Sequence, residues 1–276
     1  MPAGDAAPAA TLTATILGCG SSTGVPRIGG EWGACDPGTP RNRRRRCSLL
    51  IERHANGGTT RVLIDTGADL REQLNDAAVT SIDGVFYTHD HADHTHGIDD
   101  LRVLALRRRR RVPVHADPRT AGELRSRFGY CFKTPPRSGY PPILDLHEIG
   151  PGAAVTIDGR GGSITALPFA QTHGDIPSLG FRVAGLGYSS DLNGLPGASI
   201  DALGGLDVWI VDALRWRPHP THFSVADALE WIERLRPARA VLTNMHMDLD
   251  YRTLARLLPD GVVPAHDGMR LTLREP

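Results

Sequence analysis

The sequence predicts an α/β (α+β) fold in which two β-sheets pack back to back and helices cover their outer faces. Two observations carry this prediction. Short apolar and β-branched runs typical of strands recur along both halves of the chain, and helical patterns lie between them. A chain of 276 residues is also long enough to bury most of its apolar surface in one large domain. We therefore expect a disordered N-terminal tail over residues 1–10 and a single domain over residues 11–276.

Eight runs have the composition of strands and two have the spacing of helices. The predicted strands are 12–17, 47–52, 61–64, 84–88, 164–167, 179–183, 208–211 and 240–242. The predicted helices, 69–77 and 224–235, repeat apolar residues at intervals of three and four positions. Asp69 and Ser224 begin these two segments, and both residue types are good helix N-caps.

Composition excludes several classes of function. Lys plus Arg and Asp plus Glu both number 31, so no overall charge attracts nucleic acid or a membrane surface. The N-terminal segment lacks a basic start and an apolar core, and no apolar stretch reaches the ~20 residues that span a bilayer. We therefore expect a cytoplasmic protein with no membrane partner. The four cysteines form no CxxC pair and are expected to stay reduced: Cys19, Cys35, Cys47 and Cys131.

A dense string of imidazoles and carboxylates, His-Asp-His-Ala-Asp-His, follows the predicted strand at 84–88. In an extended segment alternate residues share a face, so His89 and His91 face one metal ion while Asp93 and His94 turn toward a second. Paired ions about 3.5 to 4 Å apart are a common device for hydrolysis. The alternative is a histidine-rich surface loop that binds metal adventitiously.

The spacing of His89, His91, Asp93 and His94 resembles the HxHxDH signature of the metallo-β-lactamase superfamily. This resemblance covers residues 11 to about 272. It implies a four-layer αββα sandwich that carries two divalent ions, zinc or manganese, on loops at one edge. It also implies three more metal ligands downstream, and the candidates are His173, Asp191 and His246.

Three carboxylates have roles that the resemblance implies. Asp191 would bridge the two ions, whereas the alternative makes it a turn residue before Asn193-Gly194. Asp93 would act in catalysis as well as in binding, because the signature aspartate orients the attacking hydroxide. Asp65 ends a predicted strand where the family places a carboxylate that supports the ligands, and the alternative is that it caps its own turn.

The last ligand is ambiguous. The subgroup that this chain resembles, the cyclic-phosphate phosphodiesterases of phosphonate breakdown, usually reads LTHxxH where residues 242–247 read Leu-Thr-Asn-Met-His-Met. Alignment without a gap places Asn244 at the ligand position. Because imidazole binds zinc much better than a neutral amide does, we predict that His246 is the ligand. The subgroup's additional structural zinc is not expected, since only Cys35 remains of its CxCxxC cluster and Met247 replaces its histidine. We interpret Cys35 as a packed thiol.

Two further features bear on substrate. His222 matches a position where phosphodiesterases of the family carry a histidine, which would protonate the leaving alkoxide or bind phosphate. The alternative is that it helps to cap the helix at 224–235. The arginine runs 43–46 and 107–111 either contact phosphate or form solvated faces.

The sequence thus favours a dinuclear metal-dependent hydrolase. The leading hypothesis is a phosphodiesterase that acts on a cyclic phosphate or a nucleotide-like phosphodiester, with a metal-bridging hydroxide attacking phosphorus. Its partner would be a small phosphorylated substrate or nucleotide, and the protein is a possible homodimer. The alternatives are a tRNA-processing nuclease, a lactonase or thioesterase of the same fold, and an inactive nucleotide-binding module.

Overall fold

The chain forms two mixed seven-stranded β-sheets, described for residues 10–274 in a computed structural model. The tail predicted for residues 1–10 lies, apart from Ala10, outside the described residues. The first sheet, in the order β14-β1-β2-β3-β4-β5-β6, contains β1 (Thr11–Gly18), β2 (Ser48–Ala55), β3 (Gly58–Ile64), β4 (Gly84–Phe86), β5 (Val112–Ala116), β6 (Leu144–Glu148) and β14 (Met269–Leu273). The second, in the order β13-β12-β11-β10-β9-β8-β7, contains β7 (Val155–Ile157), β8 (Ile164–His173), β9 (Ile176–Val183), β10 (Leu186–Ser189), β11 (Val208–Asp212), β12 (Arg239–Thr243) and β13 (Val262–Pro264).

Helices cover the outer faces of both sheets. Packed on the first sheet are α1 (Leu70–Asp76), α3 (Leu101–Arg108) and α4 (Pro118–Phe132), while α2 (Ala92–Thr95) lies just before α3. Packed on the second are α5 (Gly197–Ala202), α6 (Val225–Leu235) and α7 (Tyr251–Leu257). Short 3-10 helices span Pro40–Asn42 and Ile98–Asp100. The predicted four-layer αββα sandwich is confirmed.

Alternation along the strands explains this layering. In β2, Leu49 and Ile51 belong to the core between the sheets, whereas Leu50 belongs to the cluster beneath α1, α3 and α4. Successive side chains of a strand point to opposite faces, so a strand that is apolar at every position needs cover on both sides. None of the helices in the described part of the chain is long and apolar enough to cross a membrane.

The two predicted helix starts behave differently. Ser224 caps α6 in a capping box, since its hydroxyl accepts from the Asp227 amide while the Asp227 carboxylate accepts from the Ser224 amide. Asp69 stands at the N-cap of α1 but its side chain makes no cap bond. Its carboxylate instead accepts from the Arg46 amide at 2.9 Å and from the Arg46 guanidinium at 2.8 Å. A charge-assisted pair is the stronger partner, so the capping prediction for Asp69 is wrong.

Parallel pairing places the ends of several strands together. The strands β3 to β6 pair in parallel in the first sheet, and β10 to β13 do so in the second. The Leu179 amide of β9 donates to the Thr88 carbonyl at 2.8 Å, which joins the two sheets beside the end of β4. Polar side chains that follow these strands therefore meet at one edge of the sandwich.

Candidate metal centre

The loop after β4 carries the histidine-rich string to the edge where the sheets meet. His89 and His94 are fully buried, and His91 faces a pocket. Asp93 and His94 lie within the short helix α2. The Thr88 hydroxyl lies 2.9 Å from His89 Nδ1, so the Nε2 atom of His89 is directed inward without a partner of its own.

Asp65 fixes the orientation of His94. Its buried carboxylate accepts hydrogen bonds from the Thr88 amide and the Thr88 hydroxyl, each at 2.8 Å. The same carboxylate lies 2.8 Å from His94 Nδ1, which makes this nitrogen the N–H donor and leaves a lone pair on Nε2. Asp65 thus has a role beyond its own turn, as the resemblance implied.

Three imidazoles converge on one position. Ligand nitrogens of His89, His91 and His173 all lie within 4.8 Å of one another, and His173 Nε2 is 3.4 Å from His91 Nδ1. Two ligand atoms of a tetrahedral zinc site, each about 2.1 Å from the ion, are about 3.4 Å apart. His173 Nδ1 donates to the Thr221 carbonyl at 2.7 Å, which leaves Nε2 free for a metal. Burial lowers the pKa of both His89 and His173, which favours the neutral rings that a metal ion requires.

A second position lies beside the first and is richer in oxygen. His94 Nε2 is 3.1 Å from Asp191 Oδ2 and 3.4 Å from Asp93 Oδ2. Asp191 is buried and belongs to two of the groups of neighbouring ligand atoms, one with His89 and His94 and one with His173 and His222. Its carboxylate therefore lies between the two positions, where a bridging ligand would stand.

The charges and unpartnered atoms around these positions fit divalent cations. Within residues 10–274, His89 Nε2, His94 Nε2 and Asp191 Oδ2 are buried without an aligned hydrogen-bond partner, although buried polar atoms are normally paired. Burial opposes a charge on His94, yet Asp191, Asp93 and Asp65 raise its pKa well above the usual value. Three carboxylates around a single imidazole carry more negative charge than one imidazolium neutralises. Two divalent ions would compensate this charge and occupy the unpartnered atoms.

His246 does not reach this cluster, and Asn244 does. The Asn244 side chain is buried, and its Nδ2 lies 3.1 Å from Asp191 Oδ1. The next residue, Met245, donates its backbone amide to the Cys19 carbonyl. This hydrogen bond fixes the backbone so that His246 lies away from Asp191. His246 Nε2 contacts the Arg27 guanidinium and His246 Nδ1 lies 3.2 Å from Asp248. The ligand role predicted for His246 therefore has no counterpart in the clustered atoms.

His222 pairs with a buried carboxylate that the sequence did not single out. His222 Nδ1 is 2.8 Å from Asp212 Oδ2, at the end of β11. Burial opposes protonation of His222, but the Asp212 hydrogen bond and the charges of Asp212 and Asp191 raise its pKa to about 9. Burial raises the pKa of Asp212 to about 7. Because Ser224 caps α6, the capping alternative for His222 is not needed.

The cysteine expected to pack does so. Cys35 is buried, and its Sγ lies 3.4 Å from the Met247 carbonyl and 3.5 Å from the Leu249 carbonyl. The buried Arg44 guanidinium lies 3.8 Å from the same sulfur and donates to the Leu249 carbonyl at 2.6 Å. A cation stands beside this thiol, and the surrounding groups do not resemble a thiolate metal site.

A pocket of about 470 Å³ opens over the ligand cluster and is lined on one side by Ser21, Arg27 and Arg215. The Ser21 hydroxyl is buried without a hydrogen-bond partner among the described residues. Neither predicted arginine run lines this pocket. In the first run, Arg45 pairs with Asp267 and Asp76, while in the second Arg108 pairs with Asp83. The two guanidinium groups that face the pocket come from single arginines that the sequence did not mark.

Comparison with known proteins places this geometry in context. Residues 60–247 match the family model of the beta-lactamase superfamily domain. The crystal structure of a new diphosphatase from the PhnP family is 34% identical to the chain, with a TM-score of 0.85 over 95% of this chain and 97% of that chain. The crystal structure of human tRNase Z, short form, is 19% identical, with a TM-score of 0.66 over 95% and 100%. At that identity the second likeness concerns the fold alone.

The chain is also similar to a curated protein that is named for a different activity. An octanoyltransferase of Porphyromonas gingivalis is 30% identical over 263 residues, which are 94% of this chain and 51% of that protein. The chain thus spans about half the length of this relative.

Proposed function

Because the chain belongs to the metallo-β-lactamase superfamily, a fold shared with solved hydrolases, we propose that it is a dinuclear metal-dependent phosphodiesterase. The substrate would be a cyclic phosphate or a nucleotide-like phosphodiester. One observation carries the proposal: a cluster of His and Asp side chains, most of them buried, lies beside the His222–Asp212 pair, in a pocket that two arginines line.

Seven side chains would serve the two ions, zinc or manganese. One position would use His89, His91 and His173, the other would use Asp93 and His94, and Asp191 would bridge them, with Asp65 holding His94 in place. Divalent ions bound there would neutralise the charge that develops on the phosphoryl oxygens and lower the pKa of water.

The protein's own groups would move the protons. Asp212 holds the Nδ1 proton of His222, so the Nε2 proton is free for the leaving oxygen of the diester. A raised pKa keeps His222 in the acid form at neutral pH. Asp93 lines the same pocket, where its carboxylate would orient the attacking hydroxide. His94 holds the pKa of Asp93 low against the effect of burial, which keeps the carboxylate ionised.

The pocket wall supports a phosphate substrate over a lactam or a lactone. Arg27 and Arg215 place two permanent charges beside the ligand cluster, and guanidinium groups pair with phosphate oxygens bidentately. A neutral lactone ring offers these groups no anionic partner. The tRNA-processing alternative shares the same chemistry, and a comparison of small diesters with a tRNA precursor separates the two.

Acyl transfer, the activity named for the relative, has less support in this chain. A covalent acyl carrier needs a reactive, accessible nucleophile, which for cysteine means an available thiolate. All four cysteines are buried, and burial raises the pKa of each thiol. The activity named for the relative belongs to a protein about twice as long.

The experiment is hydrolysis of bis-p-nitrophenyl phosphate by the metal-loaded protein. Turnover should depend on metal and collapse in Asp191→Ala and His91→Ala while circular dichroism shows that both variants remain folded. Faster turnover of a β-lactam or a lactone than of any phosphodiester would show that the substrate class is wrong. The homodimer and the cytoplasmic location stay predictions, which light scattering and cell fractionation test.

A further inference from the structure

We infer that the two metal positions differ in strength, and that Asn244 makes the position at Asp93 and His94 a weak, exchangeable one. This inference rests on the proposed dinuclear function and adds that one ion stays with the protein while the other is acquired from solution.

The stronger position has a complete ligand set. His89, His91 and His173 supply three imidazoles, and Asp191, whose carboxylate lies near His89 in one group of ligand atoms and near His173 in another, would supply a fourth ligand. Two of these rings are already oriented, since His173 donates to the Thr221 carbonyl at 2.7 Å and His89 contacts the Thr88 hydroxyl at 2.9 Å. Ligands that are oriented before the metal binds give a tighter site, and a fourth protein ligand adds to the three that hold a catalytic zinc ion.

The weaker position lacks an imidazole on the side of Asn244. Its ligands would be His94 Nε2, Asp93 Oδ2 and Asp191 Oδ2. The two carboxylate oxygens lie 3.4 Å and 3.1 Å, respectively, from His94 Nε2. Asn244 approaches from the remaining side with its amide nitrogen, which donates to Asp191 Oδ1 at 3.1 Å. An amide nitrogen has no free lone pair for a cation.

Contacts on both sides of Asn244 hold this orientation. Its Oδ1 is 3.9 Å from the Cys47 thiol, a donor, whereas the reversed amide would set that oxygen against the Asp191 carboxylate. The backbone of Asn244 is left-handed, with a φ of 57°, and asparagine is among the few side chains that accept this conformation readily. The asparagine therefore supports the carboxylate and leaves the ion with three protein ligands.

The composition of the weaker position also selects the ion. Two carboxylates and one imidazole suit a harder ion such as Mn²⁺, while three imidazoles and one carboxylate suit Zn²⁺. We expect the strong position to retain metal through dialysis and the weak position to exchange.

Metal content and metal affinity test this inference without reference to activity. The protein is loaded with Zn²⁺, dialysed against metal-free buffer and measured by elemental analysis, and then titrated with Zn²⁺ in a calorimeter. The wild type should retain close to one equivalent and bind a second at least about 10-fold more weakly. In Asn244→His the second affinity should rise about 10- to 100-fold, so that close to two equivalents survive dialysis.

The controls test whether a histidine added elsewhere near the site would also raise the metal affinity. Asn193→His adds a histidine at an exposed position in the loop next to His173 and should behave as the wild type does. If Asn244→His does not fold, two other measurements test the inference. These are the metal content of the dialysed wild type and that of Asn244→Ala, which should still retain one ion. Two retained ions of similar affinity in the wild type would overturn the inference and leave the proposed function intact. Failure to bind any metal would remove the proposed function as well.

Discussion

Replacement of the His222–Asp212 pair should separate proton transfer from metal binding. His222→Ala removes the group that protonates the leaving oxygen but leaves His89, His91 and His173 untouched. We expect metal binding at both positions to match that of the wild type and the rate to fall about 10²- to 10⁴-fold, the usual range for general acid–base assistance. Asp212→Asn keeps the ring but removes the charge that raises the pKa of His222 to about 9.

The pH dependence gives the magnitude for Asp212→Asn. A general acid works when protonated, so activity on poor leaving groups should hold below the pKa of His222 and decline as pH rises through it. Asp212 raises this pKa through its hydrogen bond and its charge. Each unit by which Asp212→Asn lowers the pKa should cost up to about 10-fold in rate at a pH above it, so the loss should grow from pH 6 to pH 9.

The assay compares two diesters by stopped-time product analysis across pH 6 to 9. An alkyl diester needs protonation of its leaving group, whereas a p-nitrophenyl diester needs little, so the loss in both variants should shrink for the second substrate. Equal losses on both substrates, or loss of metal from His222→Ala, would refute the assignment of His222 as the acid.

Three further results are expected. Asp65→Asn should lower metal affinity about 10- to 100-fold in a competition assay with a chelator, because a neutral amide is a weaker acceptor for His94 Nδ1 than the carboxylate; unchanged affinity would contradict this role. His246→Ala should leave the metal content unchanged by elemental analysis, since its ring contacts Arg27 and Asp248, and loss of an ion would restore the original ligand assignment. Asp250→Ala should lower the free energy of unfolding by about 0.5–2 kcal/mol at pH 7 in urea titrations, since Asp250 caps α7. Burial opposes ionisation of Asp250, but its hydrogen bonds lower the pKa to about 2, so this difference should be present above the unfolded pKa near 3.8 and disappear as pH falls through 2.

The sequence predicted the features that are local in the chain. The strands at 84–88 and 208–211 and the N-cap at Ser224 follow from runs of adjacent residues, and the proposed ligands His89, His91, Asp93 and His94 fall within six consecutive positions. Local patterns of this kind survive folding because one strand and one turn determine them.

Other features depend on contacts that sequence spacing does not reveal. The sequence around Asp212 indicates only the end of a buried strand. Its pairing with His222 depends on the following loop, which brings the two side chains together. Arg27 and Arg215 are single charges almost 190 positions apart that meet across one pocket.

The last ligand illustrates a different limit. Ligand chemistry favoured His246 over Asn244, whereas the Met245 amide donates to the Cys19 carbonyl and His246 lies outside the groups of neighbouring ligand atoms. Alignment of residues 242–247 without a gap corresponds to the structure, in which Asn244 lies beside Asp191. The same lesson applies to Asp69, where an arginine from another segment outcompetes the local cap.

The most direct test of the account is the rate of bis-p-nitrophenyl phosphate hydrolysis as Zn²⁺ is added stepwise to metal-free protein. The account predicts little activity at one equivalent, because that ion occupies the position at His89, His91 and His173, and a rise to full rate only as the second position fills. Full activity at one equivalent, with no gain from further metal, would contradict the dinuclear phosphodiesterase.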